Sequence, residues 1–438
     1  MPGPRPTLTR AILREHLRRN AFRCGPADRV GVEVELTPLA VLDGRVSVEA
    51  AHARGDELWS SMWCNDEVRW RDGLLSREPG GQWEYSGRPL ATPEAAARST
   101  SRSVRGLCRL TRSRGFELIA VGVHPWASPA AIGLRASAPR YRAMQEYFRG
   151  IGPHGARMMR QTGSIQVAID HAHGRESRER WELAQRLGPV LATVFANGAV
   201  WGGRPGMWPS LRALAWSGLD PSRTGIPPLF LSDPESDPVD QYLDFALRAA
   251  LMFIRRGDGS LEVVPRGPLG AETLTFGRWL EEGHRGEYPA EADWADHLGV
   301  LFPNVRPQGY LEVRTIDAPG VAWLGVPILL IAHALRDAGV RAELLRVLRP
   351  AHSRLQALGR LDELGARGLA ESVFEVVLSG LVGVDRHLVT SFYERYTRLG
   401  RTPGIELAER IAPGRRLDPR DLLGLERERR DAASADRS

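Results

Sequence analysis

Two glutamates stand two residues apart in the run Gly31-Val32-Glu33-Val34-Glu35-Leu36. Side chains of a strand alternate between its faces, so residues 29–36 read as one strand. Val30, Val32, Val34 and Leu36 line one face, and both carboxylates point from the other. The pattern returns. Residues 81–86 set Gln82, Glu84 and Ser86 against Trp83 and Tyr85. Residues 164–170 set Ser164, Gln166, Ala168 and Asp170 against Ile165, Val167 and Ile169, and residues 310–317 put Tyr310, Glu312 and Arg314 on one face. A polar strand face is ordinarily the wet side of a half-exposed antiparallel sheet, which would explain any one of these strands. It explains the set less well, because the acids have little bulk between them and would repel one another without a cation. A sheet face lined with Glu and Gln suits hard divalent metals, which take oxygen ligands.

Composition narrows the chemistry further. The chain of 438 residues is 42% apolar and 26% charged, values that exclude disordered, collagen-like and coiled-coil chains. All 59 basic residues are arginine; with no lysine there is no Walker-type phosphate lysine, no Schiff-base lysine and no lysine nucleophile. Any phosphate clamp must use arginine, main-chain N–H groups or metal ions. The net charge of +6 is spread along the chain without a basic block, so no nucleic-acid partner is expected. Cys24, Cys64 and Cys108 are widely spaced, which argues against a zinc ribbon or disulfide framework and suits a reducing, cytoplasmic setting. The stretch MPGPRPTLTRAILREHLRRNAF lacks an uninterrupted apolar core, so it does not read as a signal peptide. The apolar run 321–332 is interrupted by Gly325 and Pro327 and is too short to span a bilayer, so no membrane association is expected.

The elements that must position these strands follow from periodicity. A helix opens the chain through Leu8, Ile12, Leu13 and Leu17. Residues 39–76 read as an irregular excursion with weaker strands. Helices are expected at 92–114, near 139–149, at about 176–200 and at about 239–256, with a strand at 117–123 and a Gly-, Pro- and Trp-rich loop at 201–238. From about 325 onward the pattern is helical: 326–340, 341–348, 353–364, 368–380, 384–398 and 404–411. The tail ERERRDAASADRS is charged and poor in apolar residues, and is expected to fray. The expected fold class is α+β, with residues 1–325 as a catalytic core, 326–420 as a helical region packed on it and 421–438 as a disordered tail. The oligomeric state is not legible.

Five blocks carry a resemblance: GVEVEL (31–36), EPGGQWEYSGRPL (78–90), MMRQTGSIQVAID (158–170), SLRALAW with LDPSRTG (210–225), and HLGVLFPNVRPQGYLEVRTIDA (297–318). Their order resembles that of glutamate–cysteine ligases, in the branch holding plant-type enzymes and bacterial ligases of ergothioneine biosynthesis. The resemblance implies an antiparallel sheet related to that of glutamine synthetase, bent into a funnel with helices outside. It implies ATP- and Mg²⁺-dependent joining of the glutamate γ-carboxylate to the amine of cysteine, in ergothioneine or glutathione biosynthesis. By matching motifs, Glu33, Glu35, Glu84 and Glu312 would be magnesium carboxylates, with Glu84, Glu312 and Arg314 catalytic. Arg314 would stabilise the phosphoryl group in flight, and Arg212 and Arg223 would clamp phosphate or a substrate carboxylate. Gln166 would lie near the metals, and Thr162 and Trp216 would be substrate-wall residues.

The chemistry accounts for these residue types. A carboxylate is a poor acyl donor until phosphorylated, and phosphoryl transfer is catalysed chiefly by positioning and by metal and guanidinium charge. The chain departs from plant-type relatives at Ala168, where they carry Asn, and its cysteine pocket is the least marked part. Three alternatives stay open: a ligase of the same fold that joins glutamate to another amine, a non-catalytic relative acting as a binding protein, and a metal-dependent amidase. HxH at His171 and His173 reads as a strand-end turn, because no third nitrogen or sulfur ligand is evident.

Overall fold

The computed structural model describes residues 8–25, 27–62, 68–266, 273–354 and 364–434. Cys64 therefore lies outside the described residues. The alternating segments assemble into one antiparallel sheet. Its strands are β1 (Val30–Leu42), β2 (Val68–Trp70), β3 (Gly73–Arg77), β4 (Trp83–Leu90), β5 (Ser164–Asp170), β6 (Val305–Pro307) and β7 (Tyr310–Asp317), in the order β6-β7-β5-β1-β4-β3-β2. Two short strands, Arg45–Ser47 and Glu117–Ile119, pair with the distal part of β1. Placing β1 between β4 and β5 puts Glu33 and Glu35 in the middle of the sheet, where flanking strands can bring further side chains to them.

The apolar strand face packs against helices α1 (Pro93–Ser113), α2 (Gly174–Val194) and α3 (Gly325–Arg336). Val30, Val34, Ile165, Val167, Leu311 and Ile316 contribute to this layer and are wholly buried. Helix α3 is apolar almost all round, as a helix enclosed on every side must be. Removing one such side chain from water contributes roughly 1.5–3 kcal/mol. A single apolar cluster runs from Leu8 to Tyr396, so the helices beyond residue 325 share the core of the sheet. No single described helix is long and apolar enough to cross a membrane.

Several expectations need correction. Residues 39–76 are not merely irregular: they contain a helix, Val48–Met62, which packs on β1 through buried Ala51, Leu58 and Trp59. Gly55 in that helix depresses propensity, and tertiary packing overrides it. The helix expected at 239–256 ends at Arg248, and a short hairpin strand, Phe253–Arg255, follows. Of the tail expected to be disordered, 421–438, residues 421–432 belong to a helix, Pro419–Ala432, in which Leu422 and Leu425 are fully buried, and 435–438 lie outside the described residues. Asp418 caps it by accepting from the Arg420 N–H at 2.8 Å. Buried Arg429 pairs with Glu406 at 3.0 Å and Glu426 at 2.9 Å, so charge that would solvate a free tail instead anchors a helix.

Candidate active site

Strand register creates the acidic cluster. Across β1 and β4 Glu35 lies opposite Glu84 and Glu33 opposite Ser86; across β1 and β5 Glu33 lies opposite Gln166. Directly opposed residues are near neighbours, and like charges in that relation repel. Glu312 lies opposite Ala168 on one side and Arg306 on the other. A register shift between Val313 and Ile316 interrupts the β7 ladder at Arg314. Such bulges re-aim a side chain. The Arg314 guanidinium donates to Gln166 Oε1 at 2.6 Å and to Glu312 Oε2 at 2.8 Å. Arg306 grips the same carboxylate, from Nε at 2.6 Å and Nη2 at 3.2 Å.

The polar face opens on a cavity of about 390 Å³ lined by Glu33, Glu35, Glu78, Glu84, Gln166 and Arg314, among others. Burial pushes Glu33 up to about 8, with the charges of Glu84 and Glu312 adding to it. Burial and the charge of Glu35 raise Glu84 to about 7. Glu78 is raised well above the usual range by burial and then by Glu84, and Glu35 is raised by burial against the pull of Arg212 and Ser164. Burial would also raise Glu312, but Arg314 and Arg306 outweigh it and hold that carboxyl below its ordinary value. Ser76 donates to Glu84 at 3.1 Å and Ser164 to Glu35 at 3.0 Å, which fixes both carboxylates on the sheet.

A second cavity of about 390 Å³ adjoins the first and is lined mainly by apolar groups, including Pro189, Ala192, Ile226 and Leu231. Arg212, Trp216 and Arg314 line both cavities and form the wall they share. The Arg212 and Arg314 guanidinium carbons lie 5.2 Å and 5.9 Å from the centre of the Trp216 ring. Arg212 donates to the Arg314 carbonyl at 2.7 Å and lies 3.8 Å from the Asp317 carboxylate. On or beside this wall, Arg314 Nε, Trp216 Nε1 and Thr315 Oγ1 are buried without a hydrogen-bond partner among the described residues. Orphaned buried donors are costly and mark a place where a ligand can complete the set.

The structure thus brings together Glu33, Glu35, Glu84, Glu312, Gln166, Arg212, Arg314, Trp216 and Thr162. Thr162 lines the acidic cavity, with its hydroxyl donating to the Met158 carbonyl at 2.6 Å. Arg223 does not join them. It is fully buried, pairs with Asp220 at 3.3 Å, and donates to the carbonyls of Val300 at 2.8 Å and of Ala250. It lines neither cavity, so the expected clamp is an internal brace for the loop that supplies Pro221 and Thr224. Sequence reasoning passed over Glu78, although it opens the EPGGQ block, and over Arg306, inside FPNVR. Gly80 brings Glu78 into place: a Cβ there would lie 2.3 Å from the Arg160 carbonyl oxygen, so the turn can meet the end of helix His154–Gln161 only as glycine. Arg140 and Tyr141, also on the cavity wall, stand on helix Pro139–Arg149, where no local motif marks them.

The donor set fits a hard divalent cation. It is all oxygen, it lines the cavity wall, and the carboxyls of Glu33, Glu35, Glu78 and Glu84 are held above their ordinary range as metal-free acids. Among the described residues no three His, Cys, Asp or Glu side chains converge on one metal position. The expected cage of four carboxylates is therefore not closed, and Glu312 is engaged by two arginines instead. Magnesium commonly takes one or two protein carboxylates and fills its other positions with water and substrate phosphate. Glu33, Glu35, Glu78 and Glu84 can serve that arrangement along the cavity wall.

Comparison with known proteins gives the family. The model of glutamate-cysteine ligase family 2 matches residues 29–403. The glutamate–cysteine ligase EgtA of Mycobacterium tuberculosis is 31% identical over 332 residues, covering 73% of this chain and 71% of that protein. The chloroplastic glutamate–cysteine ligase of Medicago truncatula is 29% identical over 252 residues, 57% of this chain and 47% of that protein. Among solved structures, a Francisella tularensis glutamate–cysteine ligase in complex with AMP aligns over 94% of both chains, at 12% identity and a TM-score of 0.48. With a family model spanning the sheet, both cavities and most of the C-terminal helices, the chain belongs to glutamate-cysteine ligase family 2, a family of ATP-dependent ligases that form a C–N bond.

Proposed function

We propose that the protein joins the γ-carboxylate of L-glutamate to the amine of L-cysteine, with ATP, through a γ-glutamyl phosphate. The observation that carries this reading is the wall where the acidic cavity meets the guanidiniums of buried Arg212 and largely buried Arg314. A γ-carboxylate oxygen attacks the γ-phosphorus of ATP, the bond from that phosphorus to the β-bridging oxygen breaks, and ADP leaves. The amine then attacks the acyl carbon, phosphate leaves with the C–O electron pair, and the ammonium proton is lost to solvent. Magnesium, held by Glu33, Glu35, Glu78 and Glu84, would neutralise phosphate charge. Arg314 meets the phosphoryl group in flight. Its ties to Glu312 and Gln166 fix the fork in advance, so little reorganisation is needed at the moment of reaction. Arg212 holds the Arg314 main chain and adds a second positive charge at the same wall.

The three open alternatives separate in one assay. Glutamate, ATP and Mg²⁺ are incubated with a panel of amines, the matching γ-glutamyl amides are incubated in parallel without ATP, and the products are read by mass spectrometry. Formation of γ-glutamylcysteine above all other adducts supports the proposal. A different adduct selects the related ligase, and ATP-independent amide hydrolysis selects the amidase. No turnover with any amine selects the binding protein. The apolar cavity makes amines with small apolar side chains the informative competitors to cysteine. The free thiols of Cys24 and Cys108 support a cytoplasmic setting, with ergothioneine or glutathione biosynthesis as the route the sequence resemblance implies.

A further inference from the structure

A second charged concavity lies outside the site described above. Arg105, Arg109 and Arg112 recur at steps of four and three along α1, so they share one face of the helix. Arg427 and Arg430 stand three apart on helix Pro419–Ala432. Together the five guanidiniums line a cavity of about 360 Å³ with an apolar floor that includes Ile119 and Leu423, and none of its lining residues lines either active-site cavity. Two carboxylates share the lining, and both are already engaged. Glu117 takes Arg112 in a two-pronged pair at 2.7 and 2.8 Å. Glu426 accepts from Arg429 at 2.9 Å and from the Val321 N–H at 3.2 Å. Among the described residues Arg109, Arg427 and Arg430 have no carboxylate partner. Cys108 also borders the cavity, but burial pushes its thiol up to about 12, with Glu117 and Glu426 adding to the effect, so the pocket has no ready nucleophile.

We propose that this pocket binds a small, multiply charged, phosphate-bearing anion. Arginine forks match phosphate oxygens in bidentate geometry, and the volume is that of a small-molecule site rather than of a nucleic-acid track. Like charges gathered in one concavity repel until an anion lies between them. The occupant would also tie together two parts of the catalytic sheet. Helix α1 follows β4, which carries Glu84, while Val321, held by Glu426, follows β7, which carries Glu312 and Arg314.

The test is calorimetric titration of the full chain with inorganic pyrophosphate, in chelator so that no magnesium–phosphate complex forms at the acidic cavity. The expected result is a one-site isotherm that weakens with salt, is retained by Glu84→Gln, and weakens at least about tenfold in Arg109→Ser/Arg427→Ser. Both substituted side chains are exposed, so the double variant should keep the wild-type melting temperature without anion; if it does not, Arg427→Ser alone serves as the probe. Equal pyrophosphate affinity in wild type and variant, or no binding by wild type, overturns the proposal. Citrate binding as tightly as pyrophosphate overturns the phosphate class.

Discussion

Replacing Glu84 by Gln should stabilise the metal-free protein while destroying its turnover. Glu84 faces Glu35 across the β1–β4 pair and lies deep in the acidic cavity. Its carboxyl moves from 4.5 to about 7 on folding. Below pH 4.5 both folded and unfolded states are protonated and nothing is lost. Between 4.5 and 7 the unfolded chain ionises while the fold keeps its proton, so stability falls as pH rises through that window. Above 7 the loss levels off at about 3 kcal/mol. Glutamine has no such titration and can still accept from Ser76 Oγ. Urea denaturation in chelator is therefore expected to show Glu84→Gln more stable than wild type by about 3 kcal/mol at pH 8, and by less than about 1 kcal/mol at pH 5. Excess Mg²⁺ should stabilise wild type more than the variant and shrink the gap at pH 8, because the cation relieves the repulsion that the substitution removes. A variant no more stable than wild type at pH 8 in chelator, or a gap independent of pH, would refute the electrostatic account of the cavity.

Glu312→Gln should act with the opposite sign. It removes the buried counter-charge shared by the partly buried Arg306 and Arg314, so a loss of up to about 3–5 kcal/mol in the same denaturation assay is expected, together with at least about a hundredfold fall in turnover. Arg223→Met removes one partner of the buried Asp220 pair; it should cost several kcal/mol of stability, while the protein that remains folded keeps its KM for ATP and glutamate. Leu425→Ala should cost roughly 2–5 kcal/mol by thermal or urea unfolding, whereas a frayed tail would show no change.

Strands with a period of two were the most legible part of the chain. The bounds expected for β5 and β7 are those observed, because apolar Ile165, Val167 and Ile169 alternate cleanly with polar neighbours and Tyr310, Glu312 and Arg314 share a face. The helix Val48–Met62 was not legible: Gly55 and a scattered apolar pattern hide it until β1 offers a surface. The C-terminal helix was hidden by its charge, since Arg429 resembles a solvated residue until Glu406 and Glu426 surround it. In the site, residues projecting from the sheet face could be read from alternation alone. Arg223 misled because a motif arginine in a loop can brace that loop as easily as hold a ligand. Arg140 and Tyr141 reach the cavity only through the docking of helix Pro139–Arg149, a tertiary event without local signature.

Activation of a carboxylate by γ-phosphoryl transfer at this site would leave an isotopic record in the products. Glutamate labelled with ¹⁸O in its γ-carboxylate is turned over with cysteine, ATP and Mg²⁺, and the phosphorus-containing products are resolved by mass spectrometry. Attack on the γ-phosphorus requires ADP as the nucleotide product and one ¹⁸O atom in each inorganic phosphate released. AMP as the nucleotide product, or ¹⁸O in the nucleotide, would contradict the acyl-phosphate route and the role given to Arg314.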